Sequence, residues 1–505
     1  MYWKQLSSLA LVCVGLGFGA TSAPLADASE QRDTASIRKL LGTGADVNAA
    51  QVDGTTALHW ATYNDDAETV ASLVKAGAKV DALNRYGMRP LAQACMNGNA
   101  AIVKLLLEAG ADANATMKGG ESALMLASRS GSLEAVKTLL ARGANPKTRE
   151  RLGQTALMWA AAEGHTAVVR TLLEAGAEIN ATVDSGFKAF HFAVRQGRLE
   201  TVRALLESGA DVKALTQRPM VGPGRAGGGG VRPGTSPLML AVQNAHFELA
   251  IALVDAGADP NDVRTGFTPL HALAGVRKPD SSDGSDPAAP TGSGRMSSAD
   301  FVREIVKRGA KVNFQLPKGS PKQLATTSSV GSEGATAFLF AADREDVPLM
   351  RLLLEQGADP LLPNANGTTP LMAAAGVGTN EPLEEAGEES EALEAVKLLL
   401  ERGADINTVD ANGDTAMHGA AYGISPLVVK LLGERGADPK LWNKPNKLGG
   451  TALYVAEGYA SRLPRPDPAT VEAITKLMVA AGLSTAGERP KLIDYYAPEY
   501  LTPKK

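Results

Sequence analysis

Residues Asp53 to Leu83 read DGTTALHWATYNDDAETVASLVKAGAKVDAL, and this stretch returns along the chain with its landmarks intact. The Gly-Ala pair near its end is the easiest landmark to follow. It begins at Gly44, Gly77, Gly110, Gly143, Gly176 and Gly209, each 33 residues after the last. It recurs at Gly257, Gly309, Gly357, Gly403 and Gly436, with a relative at Gly482-Leu483. The later spacings of 48, 52, 48, 46, 33 and 46 are the same unit with added residues. One copy, Thr155 to Gly186, shows the local logic. The Thr155 hydroxyl caps a helix over Ala156-Leu157-Met158-Trp159-Ala160-Ala161-Ala162-Glu163, and Gly164 supplies the positive φ that ends it. A second helix over Thr166 to Ala175 places Val168, Val169, Leu172 and Leu173 on one face. Gly176-Ala177 closes that helix, and Glu178 to Gly186 returns as a turn-tipped finger.

Twelve copies of helix, turn, helix and finger predict an all-α repeat solenoid, in which each unit buries its apolar face only against its neighbours. The period and the opening motif resemble the ankyrin-repeat family. That motif is complete in Thr268-Pro269-Leu270-His271 and altered in Thr56-Ala57-Leu58-His59 and Thr415-Ala416-Met417-His418. The resemblance runs from about Ser29 to Leu483. It implies a protein-binding scaffold, with partners held by the finger tips and the concave face of the first helices.

Composition agrees with a folded repeat protein: 44% of the 505 residues are apolar and only 5% aromatic, so small side chains fill the core. A net charge of −4 gives no reason to expect nucleic acid as a partner. The start of the chain, with Lys4 followed by an apolar run from Leu6 to Ala20, reads as a signal peptide over 1–28. Ala26-Asp27-Ala28 forms its cleavage site before Ser29. The expected location is therefore periplasmic or secreted, with bacterial origin the more natural. The run is short for a span, so no membrane segment is expected after cleavage. Cys95 is then the one cysteine left, which excludes an internal disulfide. Its place among small core residues suggests inert packing.

Ser29 to Asn48 reads as an amino-terminal half-unit capping the 29–483 array. Insertions are expected as loops at 214–233, 277–298, 314–333, 378–391 and 459–469, because additions to a repeat map outside its packed spine. The six glutamates of the fourth read as a solvated loop. The tail, 484–505, carries Leu492, Ile493, Tyr495, Tyr496, Tyr500 and Leu501 and is expected to fold over the last repeat as a lid.

Motifs for catalysis are absent. His59, His191, His271 and His418 fill the fourth position of the opening motif, and His165 and His246 stand at second-helix entries, so each has a structural role. Gly222-x-Gly224-x-x-Gly227 has no strand before it and is discounted as a dinucleotide fingerprint. No cofactor, metal or catalytic residue is therefore assigned. Trp60, Trp159, Phe192 and Phe340 follow the motif and are expected in the core. Carrying the family's binding positions onto this sequence gives Tyr63, Met96, Arg129 and Arg195 on first helices, and Arg85, Tyr86, Met88, Lys118, Arg149, Arg151 and Phe187 on fingers. These residue types are enriched at interfaces. The reading is a monomeric, non-enzymatic scaffold for a protein partner. The alternatives are a hydrolase with a site built from inserted loops, and a secreted effector acting on another cell.

Overall fold

In a computed structural model of the protein, residues 23–217, 234–279, 289–321, 328–380, 387–459, 466–487 and 489 are described. The chain divides into two compact units, Met1–Val183 and Asp184–Lys505. Among the described residues the first holds five helix pairs: Pro24–Glu30 with Thr34–Gly42, Ala57–Tyr63 with Ala67–Lys75, Pro90–Asn97 with Ala100–Glu108, Ala123–Ser130 with Leu133–Ala141, and Ala156–Glu163 with Thr166–Glu174. Seven follow in the second: Ala189–Arg195 with Leu199–Glu207, Pro237–Gln243 with Phe247–Asp255, Pro269–Arg277 with Ser298–Lys307, Ala337–Asp343 with Val347–Glu355, Pro370–Ala374 with Glu389–Glu401, Ala416–Tyr422 with Pro426–Glu434, and Ala452–Ala456 with Pro468–Ala480. Among the described residues there is no strand, only the isolated bridges Ala50 to Thr56 and Thr116 to Ser122. The protein is an all-α repeat solenoid, as the period predicts.

Each boundary has a chemical cause. In several repeats the second helix is capped by an acid or amide: Asp66 accepts the N–H of Thr69 at 3.0 Å and Asn99 that of Ile102 at 3.1 Å. It ends where Gly77, at φ +87°, takes a left-handed turn that a side chain would strain. Burial is divided between the two helices. First helices stack through small residues, with Ala94, Ala127 and Ala160 fully buried, while second helices contribute larger ones such as Val70, Leu73, Ile102 and Leu106.

Two ladders join consecutive repeats. Finger to finger, the N–H of Arg85 donates to Asp53 O at 2.7 Å, and that of Arg151 to Gly119 O at 2.9 Å. After the second helix, an asparagine bridges to the next repeat. Asn48 donates to Gly77 O (3.3 Å) and accepts from Lys79 N (2.7 Å); Asn114 does the same with Gly143 O (2.9 Å) and Asn145 N (2.8 Å). In the second unit Asn261 meets Gly309 O and Lys311 N, and Asn313 meets Gly357 O and Asp359 N. These asparagines tie the turn groups of one repeat to those of the next.

The expected amino-terminal half-unit is corrected to a full helix pair. Pro24–Glu30 packs on Thr34–Gly42 and on the next first helix, Ala57–Tyr63, with Leu25, Ala26, Ala28 and Ser29 buried. Gln51 Nε2 donates to Asp27 and Glu30, at 2.9 and 2.8 Å. Ala26 and Ala28, which read as part of a cleavage site, pack against a neighbouring helix in the full chain; residues 1–22 lie outside the described residues. The described parts of the insertions fall between or beyond helices within a few residues of the expected bounds; 218–233, 280–288, 322–327, the acidic stretch 381–386 and 460–465 lie outside the described residues.

Candidate interaction surface

The residues expected to bind a partner fall in both units. Tyr63, Arg85, Tyr86, Met88, Met96, Lys118, Arg129, Arg149 and Arg151 belong to the first, while Phe187 and Arg195 belong to the second. In the first unit the register does bring equivalent positions side by side. First helices Ala57–Tyr63, Pro90–Asn97 and Ala123–Ser130 pack successively, and Tyr63, Met96 and Arg129 stand at or near their carboxy-terminal ends. The finger ladder sets Arg85 and Tyr86 beside the preceding finger, and Arg151 beside that of Lys118.

Exposure separates these residues. Tyr63 is 52% exposed, Tyr86 64% and Met96 37%, and the same unit exposes Val52, Leu83 and Leu152 on its fingers. Tyr63 and Met96 stand at equivalent places in successive repeats, and Tyr86 and Leu152 at equivalent places two repeats apart; large apolar side chains in water there are not needed by the fold. Met88 and Arg195 are half-buried. Phe187 is a correction: it is fully buried, with its ring 5.4 Å from that of His191 and 5.5 Å from that of Phe192. It follows the positive-φ Gly186 of its finger, and that position points into the stack here.

The aromatics also divide differently from the expectation. Phe192 and Phe340 are buried, but Trp60 and Trp159 are half-exposed. Trp60 meets Tyr63 edge to face, with ring centres 5.7 Å apart, and its Nε1 donates to Gln51 at 2.8 Å. Trp159 Nε1 donates to Gln154 at 2.6 Å, and the Arg129 guanidinium lies 5.7 Å from its ring centre. Both tryptophans thus join the strip that sequence reasoning assigned only to their neighbours. The signal was present: a tryptophan placed where the family prefers leucine has an N–H that must find a partner near the surface.

The positive charge of the strip is partly spent. Arg129 stands 3.9 Å from Glu163 and Arg149 3.6 Å from Glu178, while Arg149 also donates to Thr182 O at 2.9 Å. Lys118 Nζ donates to Arg85 O at 3.2 Å and lays its stem over Gly87. Arg85 rests over Tyr86, 5.6 Å from the ring centre. What remains is an apolar and aromatic strip edged by arginines held in place.

Five histidines serve as pins between repeats, while His418 accepts the N–H of Thr415 within its own repeat. His59 Nδ1 accepts the N–H of Thr56 at 3.2 Å, so Nε2 carries the proton and donates to Met88 O of the next finger at 3.1 Å. His191 is held in the same way by Lys188 N and Ala214 O, and His271 Nε2 bonds Ala335 O at 3.1 Å. Burial pushes His191, His271 and His418 down to about 4, so each ring is neutral near pH 7. Cys95 is fully buried, which raises its thiol far above the ordinary range. Among the described residues no group of three or more His, Cys, Asp or Glu side chains is placed to hold a metal, and no helix is long and apolar enough to cross a membrane.

Family profiles agree with this architecture. One described as "Ankyrin repeats (3 copies)" matches residues 25–117 and 124–216. Another, "Ankyrin repeat", matches 234–264 and 333–365, and "Ankyrin repeats (many copies)" matches 385–432. Over 147 residues the chain is 35% identical to the transient receptor potential channel pyrexia of Drosophila melanogaster, which is 29% of this chain and 12% of that protein. The likeness therefore spans a small part of that relative's length.

Proposed function

We propose, from the premise that this chain belongs to the ankyrin-repeat family, that it acts by holding a protein partner on the exposed strip of its amino-terminal unit. Ankyrin repeats are protein-interaction modules. The observation that carries the finer reading is the recurrence of exposed Tyr63, Tyr86, Met96 and Leu152 at finger tips and first-helix ends, beside Trp60 and Trp159. A surface already ordered by stacking loses little conformational freedom when it binds, so modest contacts in successive repeats add up to useful affinity. The protein works as a scaffold without chemistry of its own. Affinity capture by the purified chain, compared with a variant carrying Tyr63→Ala, Tyr86→Ala, Arg129→Ala and Leu152→Ala, tests this. The variant should keep its circular dichroism and lose the specific partner; equal recovery of every bound protein would count against the strip.

The same proposal places the protein in the periplasm or outside the cell, on the strength of Lys4 and the apolar run Leu6 to Ala20. A cut after Ala28 would remove most of helix Pro24–Glu30 and uncover the first helix behind it, so the proposed leader ends before Pro24. Intact mass of protein recovered from the envelope fraction tests it. Recovery from the cytosol at full length would refute the location.

A further inference from the structure

Two insertions in the second unit meet and enclose a space that the repeat spine does not require. Ser329, from the lengthened finger, donates its N–H and its hydroxyl to Gly378 O at 2.7 and 2.9 Å, across to the segment after helix Pro370–Ala374. The junction is tight: a Cβ on Gly378 would stand 2.5 Å from Val330 Cγ2. Beside it, bordered by the next two fingers, lies a cavity of about 460 Å³ whose walls include Asn366, Asn380, Asp410, Asp414, Tyr422 and Asn446. That is room for a long side chain or a small metabolite.

Part of this lining is ordinary finger chemistry. Asp410 accepts the N–H of Asn412 and of Asp414, as Asn446 does for Leu448 and Gly450 in its own turn. Asp414 has no such duty. It follows the positive-φ Gly413, a register held in the same unit by Thr235, Phe267, Ala335, Thr368 and Gly450. Here alone in that unit the position carries an acid, and only 7% of it is exposed. Its carboxylate accepts from Asn446 Nδ2 at 2.7 Å, which also donates to Tyr422 Oη at 2.8 Å. Burial, with the nearby charge of Asp410 adding to it, pushes this carboxyl up to about 6. Among the described residues neither aspartate forms an ion pair with a lysine or arginine. Lys447 stands exposed at the rim, bound to Asn412 O through its backbone N–H at 2.8 Å.

We propose that this cavity binds a cationic organic group, an alkylguanidinium or alkylammonium, with Asp414 as its counter-ion. Two buried carboxylates answered only by neutral donors are costly, and a cation entering the cavity offsets that cost. Among the described residues no group of three or more His, Cys, Asp or Glu side chains gathers at this cavity to hold a metal ion. The site lies in the second unit and goes beyond the partner strip of the first, so either can fail without the other.

Calorimetric titration of the full chain with N-acetylarginine amide, N-acetyllysine amide, the uncharged citrulline counterpart, and a neutral pentapeptide with one central arginine tests it. At least one of the two cationic amides should bind with Kd of about 1 mM or tighter, and the citrulline compound should give no saturable heat. Asp414→Asn should weaken the cation at least tenfold, and Lys447→Ala, a change at an exposed rim position, should tighten it. A pentapeptide that binds better than the amide identifies an arginine of a partner protein as the source; the reverse identifies a free small cation. No saturable binding of either cation, equal binding of citrulline, or unchanged affinity in a folded Asp414→Asn protein would overturn the proposal.

Discussion

Acidification should loosen the second unit through its buried imidazoles. His191, His271 and His418 are held at about 4, against an ordinary value of 6.5, and the cause in each is burial. An imidazole whose folded value is depressed takes up its proton more readily in the unfolded chain. The stability it contributes is therefore complete above pH 6.5 and is lost as pH falls from 6.5 toward 4. At pH 5 each ring should cost about 2 kcal/mol relative to neutral pH. Asp414 works in the opposite direction: its raised carboxyl disfavours folding above pH 6, and that cost shrinks on acidification, returning about 1 kcal/mol at pH 5. The net loss expected between pH 7 and pH 5 is roughly 5 kcal/mol if the unit unfolds as one body, and less if repeats open singly. Urea unfolding followed by circular dichroism at stepped pH measures it, and NMR titration of the folded protein reads the rings directly. Changing His271→Gln should remove about a third of the imidazole slope. Rings that titrate near 6.5 in the folded protein, or a urea midpoint that stays level from pH 7 to pH 5, would refute the reasoning.

Two further outcomes follow from local geometry. Gly376, at φ +107°, would place a Cβ 2.5 Å from Gly419 O, whereas Gly403, at φ +85°, has nothing within 4 Å. Gly403→Ala should cost only the conformational strain of about 1 kcal/mol, and Gly376→Ala clearly more, about 2 kcal/mol or above, in thermal melts; equal losses would mean the contact is slack. At the far end Arg489 forks onto Glu457 at 2.8 and 2.6 Å and lies 4.8 Å from the Tyr454 ring centre, so 484–487 and 489 do turn back onto the last repeat. Arg489→Ala should lower the melting temperature by a few degrees, reflecting about 1 kcal/mol. The rest of the tail expected to form a lid, 490–505, lies outside the described residues.

The spine was legible from the sequence because a fixed period constrains every copy at once, and the glycine at the place of Gly77 carries the same meaning each time. The period says nothing of the places where one copy departs from the others. Pro24–Glu30 was missed because Ala26 and Ala28 satisfy two rules together, those of a peptidase site and of close helix packing. Trp60 and Trp159 were assigned to the core by position, yet their size leaves them half outside it. Phe187 was placed on the surface from the same kind of averaging, although a phenylalanine after a finger glycine has an apolar stack within reach. The cavity around Asp414 could not be read at all, since Ser329 and Gly378 are brought together only by folding.

The asparagine seam also governs how such a chain can change its length. Asn261 and Asn313 keep their bonds to Gly309 and Gly357 at 2.8 and 2.9 Å, although the sequence between each pair exceeds the basic period. The register is thus set by where each turn lands, and the number of residues needed to reach it is free. Whole units can be gained or lost by duplication without retuning the rest, and surplus segments between two seams are left to diverge, as raw material from which a pocket can be made.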